Sequence, residues 1–206
     1  KETWQFFKEY MNKANHYLPP DNYQEDRKPL AVNRTSSTNI GLGLLAICSG
    51  YDFGFDTLEN VLDILENMLN TITSLPKWNG HLYNWYQIDT LVPLIPRYVS
   101  TVDSGNFIGY VYTLKSFLQE AKEKIQAEMK SIEEQKEIEN EEEKIEKEKK
   151  QNRIQKIESM IKITEKLIRD TDFSILYDSE AQLFSIGYNV EENKLTDSYY
   201  DLLASE

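Results

Sequence analysis

The side chains best suited to chemistry lie in residues 80–109, where aromatic and polar residues replace the regular apolar spacing of a helix or a strand. Aromatic rings can cover the apolar C–H faces of a pyranose, and amides, hydroxyls and charged groups can hydrogen-bond its hydroxyls. Because buried polar groups must be paired, a long polar loop between helices favours a sugar-binding site. The alternative is that these side chains only cap helices and close turns. The candidates are Tyr83, Asn84, Trp85, Tyr86, Arg97, Tyr98, Ser100, Thr101, Asp103, Ser104 and Asn106.

A second polar segment, residues 19–39, precedes a helix predicted from Ile40 to about Gly50. Ser37 or Thr38 is the expected N-cap of that helix. The helix is apolar nearly all round, so we expect it to be buried. Polar loops that flank a buried helix are typical of a pocket rim on a helical scaffold.

The composition limits the classes of partner. The chain has 206 residues, a formal net charge of −12 and a pI of about 4.8. This charge argues against nucleic acid as the main partner and is compatible with a neutral polyol. Cys48 lies in an apolar run and predicts a buried, inert thiol. His16 and His81 have no companion ligands at metal spacing, so we predict no metal and no cofactor.

The remaining apolar pattern predicts the scaffold. Residues 1–12 and about 57–73 each carry an apolar stripe at helical spacing, and another helix is expected from Ser104. Residues 174–188 change to a shorter period around a polar turn, which predicts a β-hairpin. We therefore expect an all-α domain with one small β-hairpin.

Residues 120–158 are almost entirely Glu, Lys, Gln and Ile, which favours helix. A continuous coiled coil is the alternative, but the apolar positions slip out of a heptad. They match an antiparallel pairing about a centre near Glu141, in which Met129 lies opposite Ile154. We therefore predict a protruding, charged helical hairpin with its tip at about 140–143. Its charges favour a solvated surface over a partner site.

Six long, irregular motifs occur in order along the chain: LPPDNYQED, RTSSTNIGL, GHLYNWY, PRYVSTVDSGN, LFSIGYNV and SYYDLLASE. They resemble the successive motifs of the glycoamylase-like domain of bacterial cyclic β-1,2-glucan synthases, over nearly the whole chain except the charged hairpin. The resemblance implies an (α/α)6 barrel, of which residues 1–206 form about half, with the hairpin as an insertion at about 120–158. It also implies anomer-retaining transglycosylation that closes a linear β-1,2-glucan into a ring.

By position, the resemblance also implies which residues contact the substrate. Trp85 is the first choice for stacking on a glucose face, and its alternative is an ordinary loop-core tryptophan. Asp103 and Asp201 could instead be carboxylates favoured by a helix dipole. Arg97 could pair with Asp103 or Glu25 and fix the loops. Beyond the candidates in residues 80–109, the implied contacts are Asp21, Asn22, Gln24, Glu25, Arg34, Thr35, Ser36, Asn39 and Asp201.

Retaining chemistry needs two carboxyl groups roughly 5–5.5 Å apart. In the family that these motifs resemble, the pair looks to be glutamates from motifs beyond SYYDLLASE, and no matching motif occurs in the 206 residues. We therefore assign no catalytic residue. We also expect the sequence to be part of a longer chain and to be inactive alone.

Two other functions stay open. Related domains of similar fold are endo-β-1,2-glucanases, which hydrolyse the same polymer, and the charged hairpin could instead be the working part of a non-enzymatic helical interaction module. The expected partners are β-1,2-glucan and the rest of a parent synthase chain, with no nucleic acid and no direct membrane contact. The resemblance implies a membrane-anchored synthase with this domain on the cytoplasmic side.

Overall fold

The computed structural model of the chain describes residues 2–26, 28–134 and 141–199, and it describes residues 132–134, 141 and 142 by their backbone only. Within these residues, the α-helices are α1 (Glu2–Tyr10), α2 (Ser37–Asp52), α3 (Leu58–Ser74), α4 (Thr101–Glu134) and α5 (Glu141–Asp170). The helices predicted from apolar spacing are confirmed, although α2 and α4 begin earlier than predicted.

Helix α2 lies in the middle of the domain and contacts α1, α3 and α4. Ile40, Leu44 and Ile47 are completely buried, as the apolar composition of the helix predicts. At Gly41, the ring of Tyr110 on α4 occupies the space that a Cβ would need. Glycine therefore permits the close contact between α2 and α4 at this position.

Helix α3 supplies the other wall of the core. Its N-cap is Thr57, whose hydroxyl accepts a hydrogen bond from the Asn60 amide at 3.3 Å. The apolar stripe of the helix is buried along its length: Val61, Leu62, Leu65, Met68, Leu69 and Ile72.

Helices α4 and α5 pack side by side, which confirms the predicted helical hairpin. Their contact is apolar near the core, where Ile125 and Ile157 are buried, and becomes ionic further out, where Lys150 pairs with Glu128 at 2.9 Å. The predicted tip is partly wrong, because residues 141–143 already belong to α5, while residue 140 lies outside the described residues. The Glu/Lys-rich run favours helix on both sides of Asn140, so composition does not mark where the second helix begins.

The described segments outside the α-helices carry short antiparallel strands: β1 (Arg34–Ser36), β2 (Lys77–Trp78), β3 (His81–Leu82), β4 (Trp85–Gln87), β5 (Tyr98–Ser100), β6 (Tyr177–Asp178), β7 (Leu183–Phe184), β8 (Gly187–Asn189) and β9 (Lys194–Leu195). They form the pairs β1–β4, β2–β3 and β6–β7 and the three-stranded order β5–β8–β9. Strand β1 leads directly into α2, and β5 leads directly into α4. The ladders therefore fix the positions of both helix N-termini.

The predicted β-hairpin is present as β6 and β7 but is shorter than expected. Residues 174–176 belong to a 3-10 turn, Phe173–Leu176, and β8 pairs with β5 instead of extending the hairpin. None of the helices in the described part of the chain combines the length and the apolar character needed to span a membrane.

Candidate functional site

The ladder between β1 and β4 places the first pair of candidate side chains. Thr35 lies opposite Tyr86, and Ser36 lies opposite Trp85. Because side chains alternate across a strand, Thr35 and Tyr86 share one face of the ladder, and both are completely buried. Arg34 and Trp85 are diagonal neighbours on the other face and stay partly exposed.

On that face, the Arg34 guanidinium lies over the Trp85 ring, with Cζ 4.3 Å from the ring centroid. This distance is well within the range of a cation–π contact. Arg34 also pairs with Asp21, whose Oδ2 lies 3.0 Å from Nη2 and 3.3 Å from Nε. Arg34 of β1 thus contacts both an acidic side chain from a loop and an aromatic side chain from β4.

Asp21 is tied to two further side chains. The Asn39 amide donates to Oδ1 at 3.1 Å, and the Asn22 amide donates to Oδ2 at 2.9 Å. Partial burial acts to raise the pKa of Asp21, but the hydrogen bonds from Asn39, Arg34 and Asn22 outweigh it and lower the pKa below its ordinary value. Asp21 is therefore an ionised carboxylate surrounded by donors.

A second carboxylate, Asp103, lies in the first turn of α4. Its backbone amide donates to the Ser100 hydroxyl at 3.2 Å, and its carboxylate accepts a hydrogen bond from the Thr38 hydroxyl on α2. In the same way, Ser36 caps α2 by accepting from the Asn39 amide at 3.1 Å. The position of Asp103 fits the structural alternative, a carboxylate favoured by a helix N-terminus.

The two clusters meet at the first turn of α2. Thr38 binds Asp103, and the next residue, Asn39, binds Asp21. We define these residues together as the α2 cluster: Asp21, Asn22, Arg34, Ser36, Thr38, Asn39, Trp85, Ser100 and Asp103. The sequence suggested Thr38 only as an N-cap, so its contact with Asp103 was missed. No spacing pattern relates positions so far apart in the chain.

Some buried polar atoms near the site have no hydrogen-bond partner. In the described part of the chain, there are four such side-chain atoms, and three of them belong to candidate residues: Asn22 Oδ1, Thr35 Oγ1 and Ser104 Oγ. Unpaired buried groups are rare in folded proteins and call for an explanation. Thr35 and Ser104 are buried residues, whereas Asn22 is partly exposed and is therefore the nearest of the three to a surface ligand.

Several candidates are instead occupied by structural contacts. The Tyr86 hydroxyl accepts from the Tyr83 amide at 2.8 Å and donates to the Pro76 carbonyl at 2.6 Å, and burial raises its pKa. Tyr83 is also buried. The Thr101 hydroxyl donates to the Ser185 carbonyl at 2.6 Å. These residues support the loops from within.

The remaining candidates are not members of the α2 cluster. Arg97 is exposed and forms a bidentate pair with Glu191, at 2.7 and 3.1 Å, so the predicted pairing with Asp103 or Glu25 is wrong. The Tyr98 hydroxyl lies 2.9 Å from the Thr196 hydroxyl. The other placements are as follows: Asn84 binds the Tyr98 carbonyl through its backbone amide, Gln24 is partly buried, Glu25 and Asn106 are exposed, and Asp201 lies outside the described residues.

The histidines are used structurally. His81 is buried, and its Nε2 lies 2.8 Å from the Asp172 carbonyl oxygen; burial lowers its pKa. His16 contacts the Asp89 carbonyl oxygen at 3.3 Å. Among the residues that the structure describes, no three His, Cys, Asp or Glu side chains are grouped so that they could hold a metal ion.

Comparisons with known proteins show what the chain is similar to in sequence and in fold. No family model matches it. Over 130 residues, or 63% of the chain, it is 41% identical to the cyclic β-(1,2)-glucan synthase NdvB of Rhizobium meliloti (strain 1021). Its fold is similar to a glucoamylase-like protein from Bacteroides fragilis (TM-score 0.67, 14% identity) and to an endo-β-1,2-glucanase from Chitinophaga pinensis in complex with sophorotriose and glucose (TM-score 0.67, 12% identity). Each structural match covers 93% of this chain.

These findings confirm the resemblance to cyclic β-1,2-glucan synthases and the predicted fold class. The domain is mostly helical, of the (α/α)6-barrel type, with small sheets. The chain spans only 5% of the length of NdvB and 39% of each of the two solved chains. At this identity the structural matches bear on the fold alone.

Proposed function

We propose that this chain is part of an enzyme domain that acts on β-1,2-glucan and cyclises linear glucan by anomer-retaining transglycosylation. The observation that carries the proposal is the 41% identity over 130 residues to a protein named as a cyclic β-(1,2)-glucan synthase. The α2 cluster adds physical support, because it combines an aromatic face with amide and hydroxyl groups at the surface of a helical scaffold.

In this proposal Trp85 binds a glucose unit through its ring, as the apolar face of a pyranose requires. Asn22 and Ser104 have buried oxygens without partners in the described chain, and they would hydrogen-bond glucan hydroxyls. A glucan carries no charge, so the net charge of −12 does not oppose its binding.

The carboxylates of the α2 cluster are poor candidates for the general acid of the chemical step. A general acid needs a raised pKa, whereas the pKa of Asp21 is lowered by its donors. The Asp103 carboxylate already accepts a hydrogen bond from the Thr38 hydroxyl. We propose that the catalytic pair lies elsewhere in the parent chain and that residues 1–206 bind glucan without turning it over.

Hydrolysis is the second candidate function, favoured by the similarity of the fold to an endo-β-1,2-glucanase. The two activities differ in whether water or a sugar hydroxyl attacks the glycosyl intermediate. We further propose that the parent protein is a membrane-anchored synthase with this domain on the cytoplasmic side, and that the hairpin is an insertion.

Product analysis tests the proposal. The full-length protein is incubated with linear β-1,2-glucan, and the products of the wild type are compared with those of Trp85→Ala. A fall of about tenfold in the amount of cyclic product in the variant supports the proposal. Loss of the stacking energy of an aromatic ring corresponds to a change in binding of about this size. The matched control is Trp78→Ala, because Trp78 stacks on Tyr188 with ring centroids 4.1 Å apart, outside the α2 cluster.

Each other outcome has a defined meaning. Shortened linear products from the wild type would replace transglycosylation by hydrolysis. No action of the wild type on β-1,2-glucan would refute the proposed substrate. An equal loss in Trp85→Ala and Trp78→Ala would assign Trp85 a structural role.

A further inference from the structure

We propose that Asp21 is a positioning residue that holds the Arg34 guanidinium against one face of the Trp85 ring, leaving the other face for a glucan unit. This inference rests on the proposed function and changes the role expected of Asp21. The sequence suggested that Asp21 contacts substrate, whereas its contacts in the structure are with other side chains.

Most of the acceptor capacity of Asp21 is already used. Two N–H groups of Arg34 and one of Asn22 point at Oδ2, and one of Asn39 points at Oδ1, at 2.9–3.3 Å. An ionised carboxylate offers about four acceptor positions, two on each oxygen. A sugar hydroxyl would therefore have to displace a donor to bind Oδ2, and the principal partners of the carboxylate are protein side chains.

Asp21 is also held by its backbone. Its amide donates to the Arg34 carbonyl at 2.8 Å, so the loop and β1 are joined at the same two residues through main chain and side chain. Asn39 anchors the other carboxylate oxygen to the first turn of α2. The carboxylate is thus fixed relative to both the strand and the helix, and it can orient the guanidinium.

Arg34 is suited to covering a ring. Its guanidinium is planar and always charged, so it can pair with a carboxylate in its plane and contact an aromatic ring with its face. With Cζ 4.3 Å from the centroid, no sugar can enter on that side of Trp85 while the pair is intact. The orientation of the bound glucan is therefore set by a charge pair that does not itself touch the sugar.

The test is a mutant cycle on the full-length protein. The variants are Asp21→Asn, which keeps the size of the side chain, Arg34→Lys, which keeps the charge without the planar group, and both combined. We expect Asp21→Asn to raise the KM for linear β-1,2-glucan about tenfold with a much smaller change in kcat, because orientation of the bound chain is lost. Arg34→Lys should have a similar effect, and the double variant should be no worse than either single variant.

Two controls separate positioning from general damage. Glu165→Gln breaks an exposed ion pair with Lys115 (2.9 Å) outside the α2 cluster and should leave KM unchanged. In a Trp85→Ala background, Asp21→Asn should cause no further loss, because its effect acts through the ring. If the changes in KM of the single variants multiply when Asp21→Asn is combined with Arg34→Lys or with Trp85→Ala, the proposal is overturned.

A ligand-free measurement keeps the inference independent of the substrate. Hydroxyl-radical footprinting, read out by mass spectrometry on the peptide that contains Trp85, reports the accessibility of the ring. Asp21→Asn should increase oxidation of Trp85 by about twofold, since the face covered by the guanidinium becomes accessible. Unchanged oxidation would refute the positioning role, even in a protein that fails to act on glucan. Failure of the wild type on glucan, with increased oxidation in Asp21→Asn, would refute only the proposed function.

Discussion

We expect that the outer part of the charged hairpin can be deleted without loss of folding, whereas its buried base cannot. Among the described side chains, Ile125 is the last buried one along α4, and Ile154 is the first buried one along α5. Further out, Lys150 and Glu128 form an ion pair between the two helices, in which the Glu128 side chain is exposed and the Lys150 side chain is mostly covered. Replacing residues 129–150 by a short Gly-rich turn therefore joins helix ends that are already adjacent.

The expected cost of this deletion follows from what it removes. Among its described contacts, the deletion breaks the Lys150–Glu128 ion pair, and a surface pair contributes about 0–1 kcal/mol. It also exposes part of the surface that Met129 covers, and these two contacts together contribute about 1–2 kcal/mol. Deleting residues 121–157 instead removes Ile125, Ile154 and Ile157, each at most 5% exposed. At about 2–5 kcal/mol per isoleucine, the larger deletion should prevent folding.

The assay is thermal unfolding, followed by circular dichroism, together with product analysis on linear β-1,2-glucan. The 129–150 deletion should melt cooperatively within a few degrees of the wild type and keep its products. A protein that unfolds on this deletion would refute the assignment of the core boundary. A protein that folds but loses its action on glucan would show that the outer hairpin contributes to function, as an interaction module would.

Three point substitutions test the contacts inside the domain. Tyr86→Phe removes the hydroxyl that accepts from the buried Tyr83 amide and donates to the Pro76 carbonyl in a partly buried contact. It should reduce the free energy of unfolding by about 1–3 kcal/mol in a denaturant titration. Thr38→Val removes the hydroxyl that binds Asp103 and should reduce the free energy of unfolding by about 1 kcal/mol. The loss stays small because water can reach the partly exposed Asp103 carboxylate and replace the hydroxyl. Burial lowers the pKa of His81 below 6.5, so the unfolded state binds more protons in acid and stability should fall as the pH decreases from about 7.5 to 5.5. His81→Gln should weaken this pH dependence.

Each substitution has a matched control. Tyr112 is exposed, so Tyr112→Phe should leave stability unchanged, and an equal loss in both tyrosine variants would contradict the role of the buried hydroxyl. Thr38→Ser keeps the hydroxyl and should retain most of the stability. His16→Gln replaces a partly buried histidine outside the contacts of His81 and is the matched control for the loss of an imidazole. If His81→Gln keeps the full pH dependence, another group causes it.

The spacing of apolar residues within each segment was sufficient to predict the helices. The stripe of α3 and the all-round apolar surface of α2 follow from spacing within one element, and both are buried as expected. The hairpin was also predictable, because its apolar positions match only when the two helices run antiparallel. Its turn was not predictable, because the charged run continues as good helix on both sides.

The site depends on contacts that spacing does not encode. Strands β1 and β4 are three residues each, too short for alternation to stand out, and their polar side chains favoured a loop. The ladder nevertheless brings Arg34 onto Trp85 across 51 positions of sequence, and the same limit explains why the pairing of Arg97 with Glu191 was missed. Sequence could name the residue types of a sugar site, but only the ladder register shows which of them touch.

The first turn of α2 explains why two carboxylates collect at this surface. The N-terminus of a helix favours negative charge, and Thr38 and Asn39 extend side-chain donors from that turn toward Asp103 and Asp21. The donors around Asp21 lower its pKa, whereas the proton donor of a retaining enzyme needs a raised pKa. The same contacts hold the Arg34 guanidinium over the Trp85 ring. Asp21 is therefore better suited to fixing this surface than to donating a proton, in line with the proposal that the catalytic pair lies elsewhere in the parent chain.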